Sequence, residues 1–218
     1  HKFPKTTTEE LLELVKRLNE DEEVTGIILQ SPALGIDYDE VAGAINPVKD
    51  VDGFTNENIS ALYYGKEILI PCTVRGIIKI LEHYGVDLDG KNVTIVGRGN
   101  IVGKPLSLAL NNRNATITLC HSHTKSLTEC TMNADIVVAA AGSPKLIKGD
   151  MVKDGVILVD VGMNKIDGVW YGDVDRESVD EKAGLLTPVP GGVGPMTIAM
   201  IMENLIIAKE LQNGQKIK

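Results

Sequence analysis

The sequence lacks any apolar run approaching the roughly 18 residues that a membrane-spanning helix needs, so a membrane role is not expected. It also lacks an excess of positive charge. Lys and Arg total 22 against 30 Asp and Glu, a net charge of -8. Binding along a nucleic-acid backbone requires clustered cations, so the charge argues against a nucleic-acid partner and any anionic ligand must be captured locally. Cysteine is scarce, three residues in all. Cys72, Cys120 and Cys130 show neither CxxC zinc spacing nor the even count of a disulfide framework, so no metal site is expected and a reducing, cytoplasmic setting is. No signal peptide can be read, and the start at His1 suggests that residues precede it. What remains is ordinary for a globular protein: 218 residues, 43% hydrophobic and 24% charged, long enough for one large domain or two small ones.

The first part of the chain is αβ in character. TTTEELLELVKRLNED reads as a helix with a capping box, Thr7 with Glu10, and an apolar stripe through Leu11, Leu14, Val15 and Leu18. VTGIILQ, residues 24 to 30, suits a buried strand stopped by Pro32, with Gln30 near its C-terminal end. Residues 38 to 46 suggest a short helix, PVKDVDGF a loop, and RGIIKILEHYG a second periodic helix ending at Gly85. From Lys91 the pattern becomes regular, with strands expected at 93–97, 115–120, 135–142 and 156–162 and helices after the first two. Such alternation implies parallel pairing and right-handed crossovers, a doubly wound α/β sheet. Ligands of these sheets bind where strands end, and the ends read GRGN, CHSHT, AAGSP and DVGMN. A last helix, MTIAMIMENLIIAKEL, is apolar around much of its circumference and is expected to pack on several sides.

The turn GRGNIVGKP carries Gly97, Gly99 and Gly103 between a strand and a helix, where backbone N–H groups can approach a pyrophosphate at the helix N-terminus. A tight turn with no ligand is the bland alternative. NAD-binding folds usually place an acid after the second strand to accept from the ribose. That position reads Cys120, His121, Ser122, His123, Thr124, with no carboxylate. Arg98 and Ser122 can hold a 2′-phosphate instead, which favours NADP. The acids of DVDGF could form a cation site, a general-base pair or a polar turn, and a calcium loop would need further oxygen ligands that are lacking. In PCTVRG, Cys72 could be a nucleophile, but a helix start explains the Pro and Thr as well.

Taken together, these pieces resemble one family. Gln30 with Pro32, KDVDGF (49–54), PCT (71–73), GR…IVG.P (97–105), CHS.T (120–124) and PVPGGVGPMT (188–197) keep the order found in the methylenetetrahydrofolate dehydrogenase/methenyltetrahydrofolate cyclohydrolase family. The resemblance implies two linked reactions in one cleft. These are NADP-dependent oxidation of 5,10-methylenetetrahydrofolate and hydrolysis of the methenyl product to 10-formyltetrahydrofolate. It implies a Rossmann-type domain over 76–187 and a second α/β folate domain over 1–75, completed by the segment 188–218. Homodimers paired through the nucleotide domain are implied as well.

By the same resemblance Asp52 is the pterin-binding acid, and Gln30 tunes the protonation of a catalytic lysine. Pro32, Gly191, Gly192 and Pro195 then lie against the folate. The nucleotide is implied to contact Gly97, Arg98, Gly99, Ile101, Val102 and Gly103 in the first turn. His121, Ser122 and Thr124 follow in the second, and Ala141, Gly142 and Gly162 at the later strand ends. The family's lysine follows a tyrosine by four residues, and no Tyr-x-x-x-Lys precedes Gln30 in this sequence. The family's first strand and helix are therefore expected to be missing from the chain, with cyclohydrolase activity deficient. Rival readings are a monofunctional dehydrogenase, a shikimate-like NADP dehydrogenase and a non-catalytic nucleotide-binding module.

Overall fold

The structure is a computed structural model that describes residues 6–30 and 35–214. Its elements run α1 (Thr8–Glu20), α2 (Tyr38–Gly43), α3 (Asn56–Tyr63), α4 (Cys72–His83), β1 (Asn92–Val96), α5 (Gly103–Asn111), β2 (Thr116–Cys120), α6 (Leu127–Met132) and β3 (Ile136–Ala139). They continue with β4 (Val156–Asp160), β5 (Asn164–Ile166), β6 (Val169–Tyr171), α7 (Arg176–Val179), β7 (Ala183–Leu186) and α8 (Val193–Gln212). The chain divides into two compact units, Thr73–Ala199 and the pair His1–Cys72 with Met200–Lys218.

The first of these units is a doubly wound sheet. Five parallel strands lie in the order β2-β1-β3-β4-β7, so the chain reverses direction across the sheet between β1 and β3. A crevice outside the carboxyl ends of those two strands is where open α/β sheets take ligands. β1 and β3 are almost wholly buried, as befits central strands covered on both faces. The antiparallel hairpin β5–β6 stands apart from the sheet and exposes Ile166, Val169 and Trp170.

The other unit is held by helices. Thr7 caps α1 as its sequence suggests: its Oγ1 accepts from Glu10 N (3.2 Å), while Thr7 N donates to Glu10 Oε2 (3.1 Å). The C-terminal end of α1 is closed by Lys49, a nearly buried lysine whose Nζ donates to the carbonyls of Leu18 (3.0 Å), Asn19 (2.8 Å) and Asp21 (2.7 Å). A cation at the negative end of a helix satisfies carbonyls that lack intrahelical partners. Leu11, Val15, Ile27, Val41 and Ile45 form the core beneath it.

Three expectations need correction. The strand read over 24–30 is reduced to one parallel bridge, Ile27 to Asp50. Ile27 N donates to Lys49 O and Val51 N to Ile27 O, and the ladder then stops because its partner turns away at Asp50–Gly53. The last helix starts at Val193 and is not packed all round: Ile198, Met202 and Ile206, four residues apart, stay 67%, 58% and 63% exposed. Met200, Asn204 and Ala208 occupy the buried stripe instead, and an α-helix cannot turn both rows toward one core. The strand at 135–142 is shorter than its apolar run, ending at Ala139 where the chain turns into a loop.

Candidate functional site

β1 delivers the Gly-rich turn to the crevice between β1 and β3. Gly97 has φ +118°, and a Cβ there would collide with the carbonyl of Ala140, so the two strand exits approach as closely as backbone allows. Gly103 is buried, and a Cβ on it would meet the carbonyl of Gly97, which seats the start of α5 directly on the strand exit. Gly99 differs: it is exposed and has no heavy atom within 4 Å of its Cβ position. That bare, exposed backbone leaves room for a phosphate to approach.

The first turn of α5 supports the same use. Val102 occupies the cap position, and no side chain caps the helix. Lys104 N donates to Gly99 O (3.1 Å) and Pro105 has no N–H, so among the described residues Val102 and Gly103 present the N–H groups left for an anion. Arg98 and Ile101 lie exposed on the rim, and Lys104 Nζ rests on Asn100 Oδ1 (2.9 Å).

The turn after β2 is closed on itself. His121 N donates to Thr124 Oγ1 (2.9 Å), Thr124 N to His121 O (2.8 Å) and His123 N to His121 Nδ1 (3.1 Å). Thr124 thus shapes the turn, while Ser122 is exposed at its tip. Cys120, just before, is buried, and burial pushes its thiol up to about 11.

At the ends of β3 and β4 the structure brings in residues that motif reading passed over. Asp173 is fully buried and accepts from the N–H groups of Ala141 (2.6 Å), Gly142 (2.8 Å) and Ser143 (2.9 Å) and from Asn164 Nδ2 (2.8 Å). Ala141 and Gly142 stay exposed on their other side, with Gly142 at φ +63°. Gly162 is buried, donates to Asp160 Oδ1 (2.9 Å), and leaves the space of its missing Cβ to Asp173. No spacing rule could have announced Asp173, because it stands 30 or more residues from the segment it holds.

In the other unit the two acids of DVDGF separate. Asp50 is 2% exposed and accepts from Gly53 N (2.8 Å), Thr55 N (2.7 Å) and Asn58 Nδ2 (3.0 Å), so it builds the loop. Asp52 is only half-buried, and its carboxyl is raised above the ordinary range, first by burial and then by the charge of Asp50, against a hydrogen bond from Cys72. Such a carboxylate gains from a ligand that brings donors. Cys72 is fully buried at the start of α4, its thiol bonded to Val51 O (3.1 Å) and approached by Asn204 Nδ2 (3.3 Å), which makes it part of the scaffold under Asp52. Tyr38, not singled out from sequence, donates to Leu29 O (3.2 Å); burial first, then the charges of Asp52 and Asp50, raise its phenol.

Gln30 is exposed, and Pro32 lies outside the described residues. Gly191 has φ +106° and open space around it, Gly192 packs on the carbonyl of Pro188, and Pro195 is exposed in the first turn of α8. These last three belong to the unit with the Gly-rich turn, whereas Gln30 and Asp52 belong to the other.

The chain matches two family profiles, the tetrahydrofolate dehydrogenase/cyclohydrolase catalytic domain over residues 1–52 and its NAD(P)-binding domain over residues 71–213. It is 50% identical over 205 residues to the bifunctional protein FolD of Agathobacter rectalis, covering 93% of this chain and 74% of that one. The crystal structure of the bifunctional FolD methylenetetrahydrofolate dehydrogenase/cyclohydrolase of Campylobacter jejuni superposes with a TM-score of 0.92 at 46% identity, over 95% of this chain and 75% of that one. The FolD of Trypanosoma brucei, solved with NADP cofactor and an inhibitor, gives a TM-score of 0.90 at 35% identity over 96% of this chain and 74% of that one. With a doubly wound nucleotide unit, an open glycine cradle at its crevice and these matches along nearly its whole length, the chain belongs to the tetrahydrofolate dehydrogenase/cyclohydrolase family.

Proposed function

We propose that this protein oxidises 5,10-methylenetetrahydrofolate to 5,10-methenyltetrahydrofolate with NADP and takes part in hydrolysis of that product to 10-formyltetrahydrofolate. NADP, when bound, would supply the hydride acceptor, taking two electrons and one proton together. The chain's own residues bind and orient. Val102 and Gly103 N–H groups and the bare face of Gly99 hold the phosphates, and Arg98 with Ser122 takes the 2′-phosphate. Asp52 accepts from the 2-amino-pyrimidinone edge of the pterin, two charge-assisted bonds that fix which way the folate faces. The open backbone at Gly191 allows close approach of a flat ligand. Oxidation needs no protein acid or base, because the folate nitrogen's lone pair stabilises the cationic product, and positioning is the protein's contribution. Hydrolysis does need one, and the lysine that the resemblance assigns to this role is not among the residues of this sequence, so hydrolysis by these 218 residues is expected to be deficient.

The observation that carries the reading is the uncapped start of α5 beside an unobstructed Gly99, an anion cradle at the reversal point of the sheet. Mixing the protein with methylenetetrahydrofolate and NADP and following NADPH absorbance tests it; turnover with a shikimate-type substrate and none with the folate would overturn it. The same proposal sets the enzyme in the cytoplasm, in keeping with three cysteines that form no disulfide among the described residues. It also makes the protein a homodimer through the nucleotide unit, supported by the apolar residues that β5–β6 exposes. Exchanging Trp170 for Arg should then shift sedimentation toward the monomer.

A further inference from the structure

We infer that Asp173 is a positioning residue for the nucleotide, a built-in anion that shapes the loop Ala141–Ser143 and keeps phosphate away from it. The inference rests on placing the nucleotide at the crevice between β1 and β3. Three successive backbone N–H groups converging on one point form a concavity that ordinarily recruits an anionic ligand. In this protein the anion is its own: Oδ2 of Asp173 takes Ala141 N and Gly142 N, and Oδ1 takes Ser143 N and Asn164 Nδ2. The carboxylate is 0% exposed, so no solvent competes for those donors.

Asp173 is itself pinned from β4. The chain leaves the sheet at Asp160, passes through the β5–β6 hairpin and returns at Gly172–Val174. There Asp160 Oδ1 accepts from Asp173 N (2.9 Å) and Oδ2 from Val174 N (2.9 Å). Glycine at 162 and 172 leaves room for the two carboxylates, since a Cβ on either would overlap Asp173 or Asp160. One acid therefore holds the returning segment and the other holds the loop.

Two consequences follow for the nucleotide. With their N–H groups engaged from behind, Ala141 and Gly142 offer an uncharged part of the cofactor only exposed backbone surface and carbonyl oxygen, and phosphate is left to the Gly-rich turn. Because the carbonyl of Ala140 fills the place of a Cβ on Gly97, the loop is also a wall of that turn. Loosening Asp173 shifts both walls of the cradle without touching any ligand-facing side chain.

The test titrates the full chain with NADP by calorimetry, beside thermal unfolding. Asp173→Asn keeps the volume but turns an amide against backbone donors, and should weaken NADP by about tenfold. Lys153→Met, which breaks the ion pair with Asp135 before the start of β3 (2.6 Å), should lower thermal stability and leave NADP affinity unchanged. An Asp173→Asn protein that binds NADP within about twofold of the wild type would overturn the inference. Gly99→Val keeps the two ideas apart: if it too leaves binding intact, the placement of the nucleotide fails, whereas weak binding by Gly99→Val alone sinks only the role of Asp173. Hydrogen exchange on the unaltered protein serves if Asp173→Asn does not fold. Amides 141–143 should be protected before NADP is added, while those of Val102 and Gly103 gain protection only with it; fast exchange at 141–143 in the free protein would refute the proposal.

Discussion

Exchanging Asp50 and Asp52 in turn for asparagine should move stability and folate binding in opposite directions, although the two acids are two residues apart in one loop. Asp50 Oδ1 holds Gly53 N, and Oδ2 holds Thr55 N and Asn58 Nδ2, the first two bonds buried and the third partly so. Asparagine keeps one acceptor oxygen and points its amide hydrogens at the donors on the other side. Stranding one or two buried donors at about 1–3 kcal/mol each makes Asp50→Asn roughly 3 kcal/mol less stable, a large part of a marginal total. Asp52 behaves otherwise, because burial raises its folded-state pKa. The folded protein then holds that proton more tightly than the unfolded chain, so stability falls as pH rises from the unfolded value through the folded one, and above that window the ionised group opposes folding. Neutral asparagine removes the opposition. Asp52→Asn should be at least as stable as the wild type at neutral pH, with a flatter stability profile in the acid range, yet bind folate about a hundredfold less tightly for the loss of two charge-assisted bonds worth roughly 1.5 kcal/mol each. Urea denaturation followed by circular dichroism, repeated across pH, measures the first quantity and folate titration the second. Equal destabilisation by the two substitutions would refute the separation of roles.

Three further outcomes can be checked. Arg98→Ala should raise KM for NADP by about tenfold or more while leaving KM for NAD nearly unchanged, since a single charge-assisted contact to the 2′-phosphate is lost; equal effects on both cofactors would defeat the assignment. Gly103→Ala places a methyl against the carbonyl of Gly97, so α5 must shift; a loss of about 2 kcal/mol in urea titration together with weaker NADP binding is expected. Lys49→Met strips the C-terminal end of α1 of its cation and should cost about 2–3 kcal/mol in the same assay with NADP affinity untouched.

The sequence by itself determined the alternation of strands and helices after Lys91, the capped start of α1 and the glycine turn before α5. Each of these is a local matter, set by periodicity, by a side chain three residues from its partner, or by a backbone that tolerates no Cβ. It also carried the family, through motifs that keep their order along the chain. The resemblance had named Asp52 as the ligand-binding acid of DVDGF, but only tertiary structure gives the physical reason, because the difference from Asp50 lies in burial and in partners from Gly53 to Cys72. Tertiary structure reduced the strand read over 24–30 to a bridge, since β-branched residues make a strand only where a neighbouring chain stays alongside, and the segment after Asp50 does not. It exposed one row of α8, because hydrophobic residues on all sides of a helix do not say which side finds a core. The pairing of Asp173 with a loop 30 residues away was likewise invisible in one dimension, where a buried carboxylate and a solvated one are the same letter.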